Sequence, residues 1–298
     1  MQGNGSAQRE AGADLQNPEG ILTNTLDDRC VLYVSSCDAY SDLWEPFFTL
    51  LVKYWPDCPY RIVLASETRT FSFPGLDISC PRFFTMKQRV AWGELNSRTL
   101  SAIPSPFVLF MLEDFLLIKP VNQAFITKTL DWIEADPKAC KFQWARNGID
   151  PPNGSAQCAA GADLQNPEGI LTNIDDAQMD LVYHPTPKTK AWRVNAQAAI
   201  WRRQSLIQSM LPTESAWTWE NWGTKRSKHW KEQMYSSHVS PMTYPRSGAL
   251  YHHVWQVEGV EALRDNGIEM NFNKRGVLEK TRYPVKEKEG EKVEESTC

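Results

Sequence analysis

The sequence lacks several features that define large classes of protein. Its most apolar stretch, residues 106–118, is too short to cross a membrane and carries two carboxylates. The net charge is −4, so there is no overall basic excess to attract nucleic acid. The chain does not open with a basic segment followed by an apolar block, which is the pattern of a secretory signal. We therefore expect a cytoplasmic protein without a transmembrane segment and without a nucleic-acid partner.

Cysteine and glycine patterns exclude further kinds of site. The seven cysteines are scattered, odd in number and contain no CxxC pair, which argues against a zinc site or a disulfide framework and favours reduced, mostly buried thiols. No Gly-rich phosphate loop follows the first predicted strand. Tryptophan, in contrast, is abundant at 12 copies. A large core accounts for most of them more readily than sugar binding does.

One segment occurs twice in the chain. Residues 4–24 and 153–173 are identical at all but two positions, and they are rich in Gly, Asn and Ala with little to bury. Such segments form loops or frayed coil, and two distant copies do not make a solenoid. The predicted division is an N-terminal tail over 1–28, one domain over 29–279 with a loop insertion at 151–176, and a charged tail over 280–298.

Apolar runs and helical patterns alternate from Cys30 onward. The run at 107–112 is apolar at every position, as expected for a strand covered on both faces. The rhythm predicts an α/β fold with a doubly wound, mostly parallel central sheet flanked by helices and a less regular second half. Strands are predicted at 30–37, 61–66, 107–112, 141–144, 193–201 and 249–257. Helices are predicted from a capping box at Asp42 and Glu45, over 87–103, from Asn122 to Ala135, and over 205–211.

Two adjacent carboxylates, Glu113 and Asp114, directly follow the apolar strand at 107–112. Ligands of open α/β sheets bind beyond the carboxyl ends of strands. Two carboxylates at such a place repel each other and are costly to desolvate, and a divalent cation relieves both problems. Hard oxygen ligands suit Mg²⁺ or Mn²⁺, which also bind substrate phosphates. The pair therefore predicts a metal–diphosphate site, with an ion-paired or helix-capping acidic turn as the alternative.

Small polar residues lie at the end of the first predicted strand. Ser36 lies where a nucleotide could approach the backbone, and Asp38 is a candidate acceptor of hydrogen bonds from a base or ribose. The alternative is a plain strand-to-helix turn in which Asp38 bonds local N–H groups. Arg98, on the helix before the acidic strand, is a candidate for binding donor phosphates. A solvent-facing arginine is the alternative for that position.

Three stretches resemble bacterial-type nucleotide-diphospho-sugar glycosyltransferases of the GT-A fold, of the kind that serve polysaccharide and lipopolysaccharide biosynthesis. They are VLYVSSCDAYSDLWEPFFTLLVKYWPDCPYRIVLAS, IPSPFVLFMLEDFLLIKPVN, and RVNAQAAIWRRQSLIQSML followed by ESAWTWE. The resemblance extends from about Cys30 to Val260 without the repeated loop. It implies that Glu113 and Asp114 stand for the acidic motif that binds the metal and the donor diphosphate. The family's commonest form of that motif is Asp-x-Asp, and this chain has Glu-Asp-Phe.

The resemblance also implies roles for the Trp-rich segment. In similar enzymes a carboxylate of this region faces the acceptor hydroxyl and takes its proton, because a sugar hydroxyl is otherwise a poor nucleophile. Glu220 matches that position best, with Glu214 in reserve. Trp217 and Trp219 are then candidates for stacking on the acceptor sugar. The alternatives are a helix-capping role for Glu220 and core positions for the two tryptophans.

A pair of histidines late in the chain gives a further candidate ligand. The resemblance implies that a histidine there binds the metal or the diphosphate, and His252 is the first choice before His253. Neighbours in a strand point to opposite faces, so we expect at most one of the two to reach the site. The alternative is a structural histidine.

Taken together, the sequence predicts a glycosyltransferase that moves a sugar from a nucleotide-diphosphate donor to a hydroxyl of a glycan or lipid-linked glycan. A lipid-linked acceptor leaves a peripheral membrane contact open. Two rival functions remain. A sugar-nucleotide pyrophosphorylase would carry a Gly-rich, basic phosphate loop soon after its first strand. A non-catalytic carbohydrate-binding protein would explain the tryptophans but not the acidic pair.

Overall fold

The computed structural model describes residues 26–85, 88, 90–144, 183–237, 239–245 and 248–278. Both copies of the repeated segment, the insertion at 151–176, the C-terminal tail and all but residues 26–28 of the N-terminal tail lie outside them. Within the described residues the five cysteines are free thiols. The same part of the chain contains no helix that is both long and apolar enough to span a membrane.

Eight strands of the described residues form one mixed sheet in the order β3-β2-β1-β4-β7-β5-β8-β6. Six of them run in the same direction, and only β7 and β6 run against them. The predicted α/β fold with a mostly parallel sheet is confirmed. The strands are β1 Cys30–Ser35, β2 Arg61–Ala65, β3 Ile78–Ser79, β4 Phe107–Leu112, β5 Ala139–Gln143, β6 Tyr183–Pro185, β7 Ala199–Arg202 and β8 Gln233–Ser237.

Six α-helices of the described residues pack on this sheet. They are α1 Trp44–Tyr54, α2 Trp92–Ser101, α3 Gln123–Ala135, α4 Arg203–Ser209, α5 Ala216–Ser227 and α6 Val257–Asp265. Helix α3 shows how local sequence sets an element. The side chain of Asn122 accepts a hydrogen bond from the Phe125 N–H at 3.0 Å, which satisfies an otherwise unpaired donor of the first turn. The predicted limits of this helix are therefore confirmed.

The helices cover both faces of the sheet. Along β1, Leu32 and Val34 belong to a core shared with α1, α3 and α6, whereas Val31 and Tyr33 belong to a second core shared with α2, α4 and α5. This alternation follows from the period of two along a strand. It explains why the strands read as unbroken apolar runs: each side chain enters one of two cores. The doubly wound arrangement is confirmed.

The second half departs from the sequence prediction in two places. Residues 193–198, predicted as the start of a strand, form a buried loop that leads into β7. Part of their backbone pairs with side chains instead of a strand: the Val194 N–H, for example, donates to Thr224 Oγ1 at 3.1 Å. The predicted strand 249–257 is a hairpin of β9 Leu250–Tyr251 and β10 Val254–Trp255, followed by α6.

Some predicted helix boundaries are also wrong. The expected capping box at Asp42 does not form, because the Asp42 carboxylate is paired with the guanidinium of Arg275. Residues Asp38–Leu43 form a 3-10 helix instead, and α1 begins at Trp44. Helix α2 begins at Trp92, since Ala91 has an extended backbone, and residue 87, where the helix was predicted to begin, lies outside the described residues. Helix α4 begins and ends two residues earlier than predicted.

Candidate active site

A cleft of about 560 Å³ opens where β1 and β4 end. The two strands are parallel neighbours, and Ser35 pairs with Leu112 in their register, so the residues that follow each strand meet at one edge of the sheet. Five parts of the chain line the cleft: the end of β1 with the residues after it, the end of β4 with the residues after it, the start of α2, the loop before β7 with the start of α5, and the β9–β10 hairpin. The lining includes Ser35, Ser36, Cys37, Tyr40, Trp92, Glu113, Asp114, Trp192, Ala196, Gln197, Trp217, Glu220, Tyr251, His252 and His253.

Asp114 lies in a cradle of backbone on one wall of this cleft. Its Oδ2 accepts a long hydrogen bond from the Leu250 N–H at 3.4 Å, and a Cβ at Gly248 would lie 2.2 Å from the same oxygen. Its Oδ1 is buried and has no hydrogen-bond partner among the described residues. Burial raises the pKa of Asp114 to about 7, although the Leu250 N–H favours the anion. Asp114 is thus a part-buried residue with one buried, unsatisfied carboxylate oxygen.

Glu113 is the second carboxylate of this wall. It lines the cleft and is only 7% exposed. Burial, and then repulsion by Asp114, raise the pKa of Glu113 well above its ordinary value, against weaker opposing effects of Arg275 and Ser36. Within the described residues neither carboxylate forms the ion pair with lysine or arginine that the alternative of an ion-paired turn requires. Both groups are therefore unstable as bare anions.

The end of β1 is fixed by two tryptophans. The indole N–H of Trp44 donates to Ser36 Oγ at 2.7 Å, and that of Trp92 donates to Ser35 Oγ at 3.1 Å. These hydrogen bonds orient the two hydroxyls from the core side. The structure brings Ser36 into the same cleft as Glu113 and Asp114.

Asp38 and Arg98 do not line the cleft. Burial opposes ionisation of Asp38, but the Thr68 hydroxyl donates to its carboxylate, as do the N–H groups of Thr68 at 3.2 Å and Arg69 at 3.1 Å, and together these bonds lower the pKa of Asp38. Arg98 is half exposed on α2 and pairs with Glu94 at 2.8 Å. Arg98 thus lies on an exposed helix face, as its alternative describes. Asp38 differs from both expectations, because it bonds the loop after β2, 30 and 31 residues away, and not the N–H groups of its own turn.

Helix α5 presents two of the predicted acceptor residues to the cleft. It begins with a capping box of Ser215 and Thr218. Trp217 and Glu220, three residues apart, both line the cleft. Trp217 is 53% exposed, and Glu220 Oε1 accepts the Ala196 N–H at 2.7 Å. Trp219 faces the other way, is fully buried and donates its indole N–H to Ser209 Oγ, so it lies in the core.

Glu214 lies outside the cleft. Its two oxygens accept from Arg226 at 2.7 and 2.8 Å, and Oε2 also accepts the Leu211 N–H at 2.9 Å. This bidentate pair ties the loop before α5 to the last turn of the helix. The carboxylate is committed to structure, and Glu220 is left as the base candidate that the structure places in the cleft.

The tip of the β9–β10 hairpin brings both histidines to the cleft. His252 and His253 form its two-residue turn with φ of 47° and 70°, a conformation that usually selects Asn-Gly. The expectation that only one of them reaches the site is wrong, because they lie in a turn and not in a strand. His252 stacks on Trp217 with ring centroids 5.4 Å apart, and His253 Nδ1 is hydrogen bonded to the Tyr40 hydroxyl at 2.6 Å.

The described residues contain no group of three or more His, Cys, Asp and Glu side chains arranged to hold a metal ion. Glu113, Asp114 and His252 line one cleft but do not form a three-ligand site. The acidic pair alone remains as a set of hard oxygen ligands, and His252 is engaged with Trp217.

The comparisons with known proteins give distant structural likenesses. No model of a protein family and no curated protein matches the chain. The crystal structure of residues 1–349 of S. aureus TarS aligns with a TM-score of 0.45 and 11% identity over 83% of this chain and 68% of that one. A second structure of S. aureus TarS aligns with a TM-score of 0.44 and 12% identity, over 72% of this chain and 36% of that one. The structure of TarS 1–349 in complex with UDP-GlcNAc aligns with a TM-score of 0.42 and 10% identity, over 83% of this chain and 68% of that one.

Sequence reasoning missed five aromatic residues of the cleft, which are Tyr40, Trp92, Phe115, Trp192 and Tyr251. Tyr40 lies close to the small polar residues that were recognised after β1. Trp92 could have been noticed as the first residue of a helix that packs beside β1. Trp192 carries no local signal, since only the folding of residues 193–198 into the core brings it to the cleft.

Proposed function

We propose that this chain is a GT-A-like glycosyltransferase that transfers a sugar from a nucleoside-diphosphate donor to a hydroxyl of a glycan or lipid-linked glycan. The observation that carries the proposal is the division of one cleft between two kinds of wall. One wall holds two carboxylates, the buried Glu113 and the part-buried Asp114, whose Oδ1 has no hydrogen-bond partner among the described residues. The other holds a carboxylate, Glu220, beside the exposed ring of Trp217. The cytoplasmic location and a peripheral membrane contact stay predictions.

The acidic wall is suited to the donor. Glu113 and Asp114 offer hard oxygen ligands, and the unpaired Oδ1 of Asp114 fits a role in holding a cation. Mg²⁺ and Mn²⁺ sites of this kind use one or two carboxylates and complete their coordination with water and substrate phosphates. A bound cation would neutralise charge on the departing diphosphate. Ser36, at the end of β1, lies beside the pair where the nucleotide would approach.

The opposite wall is suited to the acceptor. Glu220 would take the proton of the attacking hydroxyl as its oxygen bonds to the anomeric carbon and the bond to the diphosphate breaks. The Ala196 N–H, which donates to Glu220 Oε1, holds that carboxylate in place. Trp217 offers an apolar ring face to the sugar. A single displacement of this kind inverts the anomeric centre.

The test is a screen of nucleotide sugars for hydrolysis and transfer, with and without Mn²⁺. We expect one or more UDP- or GDP-sugars to be hydrolysed in a cation-dependent way. Asp114→Ala should lower the rate by about a hundredfold or more, while circular dichroism and Tm report an intact fold. Glu94→Ala is the matched control, since Glu94 is a carboxylate outside the cleft that pairs only with Arg98 in the described residues.

Several outcomes would contradict the proposal. Full activity of Asp114→Ala would remove the acidic pair from the site. A thermal shift with nucleoside triphosphate and sugar phosphate, but not with nucleotide sugars, would indicate a pyrophosphorylase. A shift with oligosaccharide alone would indicate a carbohydrate-binding protein.

A further inference from the structure

Trp192 is an exposed ring on a deeply buried loop. It is 47% exposed and lines the cleft, whereas each of the five residues that follow it, 193–197, is at most 9% exposed. Its φ of 56° lies in the left-handed region, which a bulky residue adopts only when the surrounding structure enforces it. The fold thus holds a large aromatic side chain at the cleft in a strained backbone conformation.

A buried network from β5 holds this loop on one side. Lys141, 1% exposed, donates from Nζ to the Arg193 carbonyl at 3.2 Å, to Asn195 Oδ1 at 3.3 Å and to Gln143 Oε1 at 2.8 Å. The Asn195 amide donates in turn to Gln143 Oε1 at 2.8 Å and to the carbonyl of Trp192 itself at 2.7 Å. The network therefore fixes the peptide that carries the ring.

Helix α5 holds the same loop on its other side. Arg193 donates to the Ser227 carbonyl at 2.8 Å, and the N–H and carbonyl of Val194 both bond Thr224 Oγ1 at 3.1 Å. The Ala196 N–H donates to Glu220. One short loop thus sets the position of Trp192 and the orientation of the candidate base.

Two exposed indoles, those of Trp192 and Trp217, therefore line the same cleft as the Glu220 carboxylate. Trp217 precedes Glu220 by three residues on α5, and Trp192 precedes the Ala196 that bonds Glu220 by four. A third exposed tryptophan, Trp222, is as exposed as Trp217 but does not line the cleft. An apolar ring face beside a carboxylate is the chemistry that recognises a pyranose, which presents C–H groups to the ring and hydroxyls to the oxygen.

We propose that Trp192 and Trp217 form an acceptor subsite that holds a neutral pyranose ring with a hydroxyl directed at Glu220. The claim that the bound pyranose is an acceptor rests on the proposed function. The loop 192–197 and its buried network position Trp192, and the strained backbone keeps the ring at the cleft instead of in the core.

The test is titration of the protein with a panel of methyl pyranosides (gluco, galacto and N-acetylglucosamine) and maltotriose, followed by tryptophan fluorescence and calorimetry. We expect the wild type to bind at least one of them in the millimolar range, as is typical of weak single-ring ligands. Trp192→Ala and Trp217→Ala should weaken that binding at least tenfold. Trp222→Ala, the matched control, should bind as the wild type does.

A glycine variant separates folding from binding. The φ of Trp192 suits glycine, so Trp192→Gly should not lower Tm, yet it should lose pyranoside binding. Binding by Trp192→Gly equal to that of the wild type, or no binding of any saccharide by the wild type, would overturn the subsite.

Hydrolysis of nucleotide sugars by the wild type tests the proposed function separately. Donor hydrolysis without pyranoside binding would leave the proposed function standing and remove the subsite. Pyranoside binding that depends on Trp192, in a protein that neither binds nor hydrolyses any nucleotide sugar, would leave the subsite and remove the transferase.

Discussion

The two walls of the cleft are built by different means. The wall after β1 and β4 follows from apolar strands whose parallel register brings Ser36 and Glu113 to the same edge. The wall formed by α5 and residues 192–197 depends on hydrogen bonds from buried polar side chains such as Lys141 and Thr224. The first wall comes from hydrophobic pattern and the second from specific polar pairing. Substitutions in the first wall should therefore act through packing, and substitutions in the second wall through the loss of specific hydrogen bonds.

The largest expected effect is on the acidic wall, at Gly248. This residue has φ of 82°, and a Cβ on it would lie 2.2 Å from Asp114 Oδ2. Gly248→Ala should cost roughly 1–2 kcal/mol for the backbone and a further 1–3 kcal/mol for the displaced carboxylate. We expect donor hydrolysis to fall as far as in Asp114→Ala.

Gly267→Ala is the control for that variant. Gly267 also has a positive φ, 68°, but a Cβ there would meet nothing within 4 Å. It should lose only the roughly 1–2 kcal/mol of backbone cost and keep its activity. Equal activities of the two variants would show that the cradle around Asp114 is irrelevant to the chemistry.

The two walls should respond to pH with opposite signs. The pKa of Asp114 is raised to about 7 in the folded chain, so its contribution to stability is full below its unfolded pKa near 3.8 and is lost as pH rises through 7. Burial lowers the pKa of Lys141 to about 7, so its contribution is full above its unfolded pKa near 10.5 and is lost as pH falls through 7.

Denaturant unfolding from pH 5 to 10 measures this contrast. In the absence of added cation, Asp114→Asn should reduce the fall in unfolding free energy between pH 5 and 8, and the part that remains belongs to Glu113, whose pKa burial also raises. Lys141→Met should remove the rise between pH 7 and 10. An unchanged pH profile for either variant would mean that the group is not buried as the structure has it.

The smallest expected effect is at the tip of the β9–β10 hairpin, where His252 contacts Trp217 of one wall and His253 contacts Tyr40 of the other. Replacing His252-His253 by Asn-Gly supplies the residues that a turn with two positive φ values prefers, and should stabilise the fold by about 1 kcal/mol. It also removes the ring that stacks on Trp217 and the hydrogen bond to Tyr40. We expect a higher Tm with activity reduced severalfold. A higher Tm with full activity would show that the histidines serve only the turn.

The same contrast explains what could be predicted from the sequence. Strand β4, helix α3 and the place of Glu113 at a strand end follow from patterns within a few residues. The loop 193–198 was predicted as a strand because the residues that hold it, such as Lys141, lie some 50 positions away. Likewise, Glu214 is excluded as a base by Arg226, which lies 12 residues further along the chain.

The local sequence pattern also could not predict which of two tryptophans faces the cleft. Trp217 and Trp219 are two residues apart, and on a helix that spacing turns them to different sides. Only the start of α5 at Ala216 and its packing on Ser209 decide that Trp219 enters the core. The turn at His252 was missed because its sequence does not contain the Asn-Gly signal on which such predictions depend.

The central claim is that Glu113 and Asp114 hold a cation on the donor diphosphate, and calorimetric titration of Mn²⁺ with and without UDP or GDP tests it most directly. We predict that one of the nucleotides tightens Mn²⁺ binding at least tenfold in the wild type and that Asp114→Ala abolishes this coupling. Nucleotide binding that is equally tight without Mn²⁺, and unchanged in Asp114→Ala, would contradict the account.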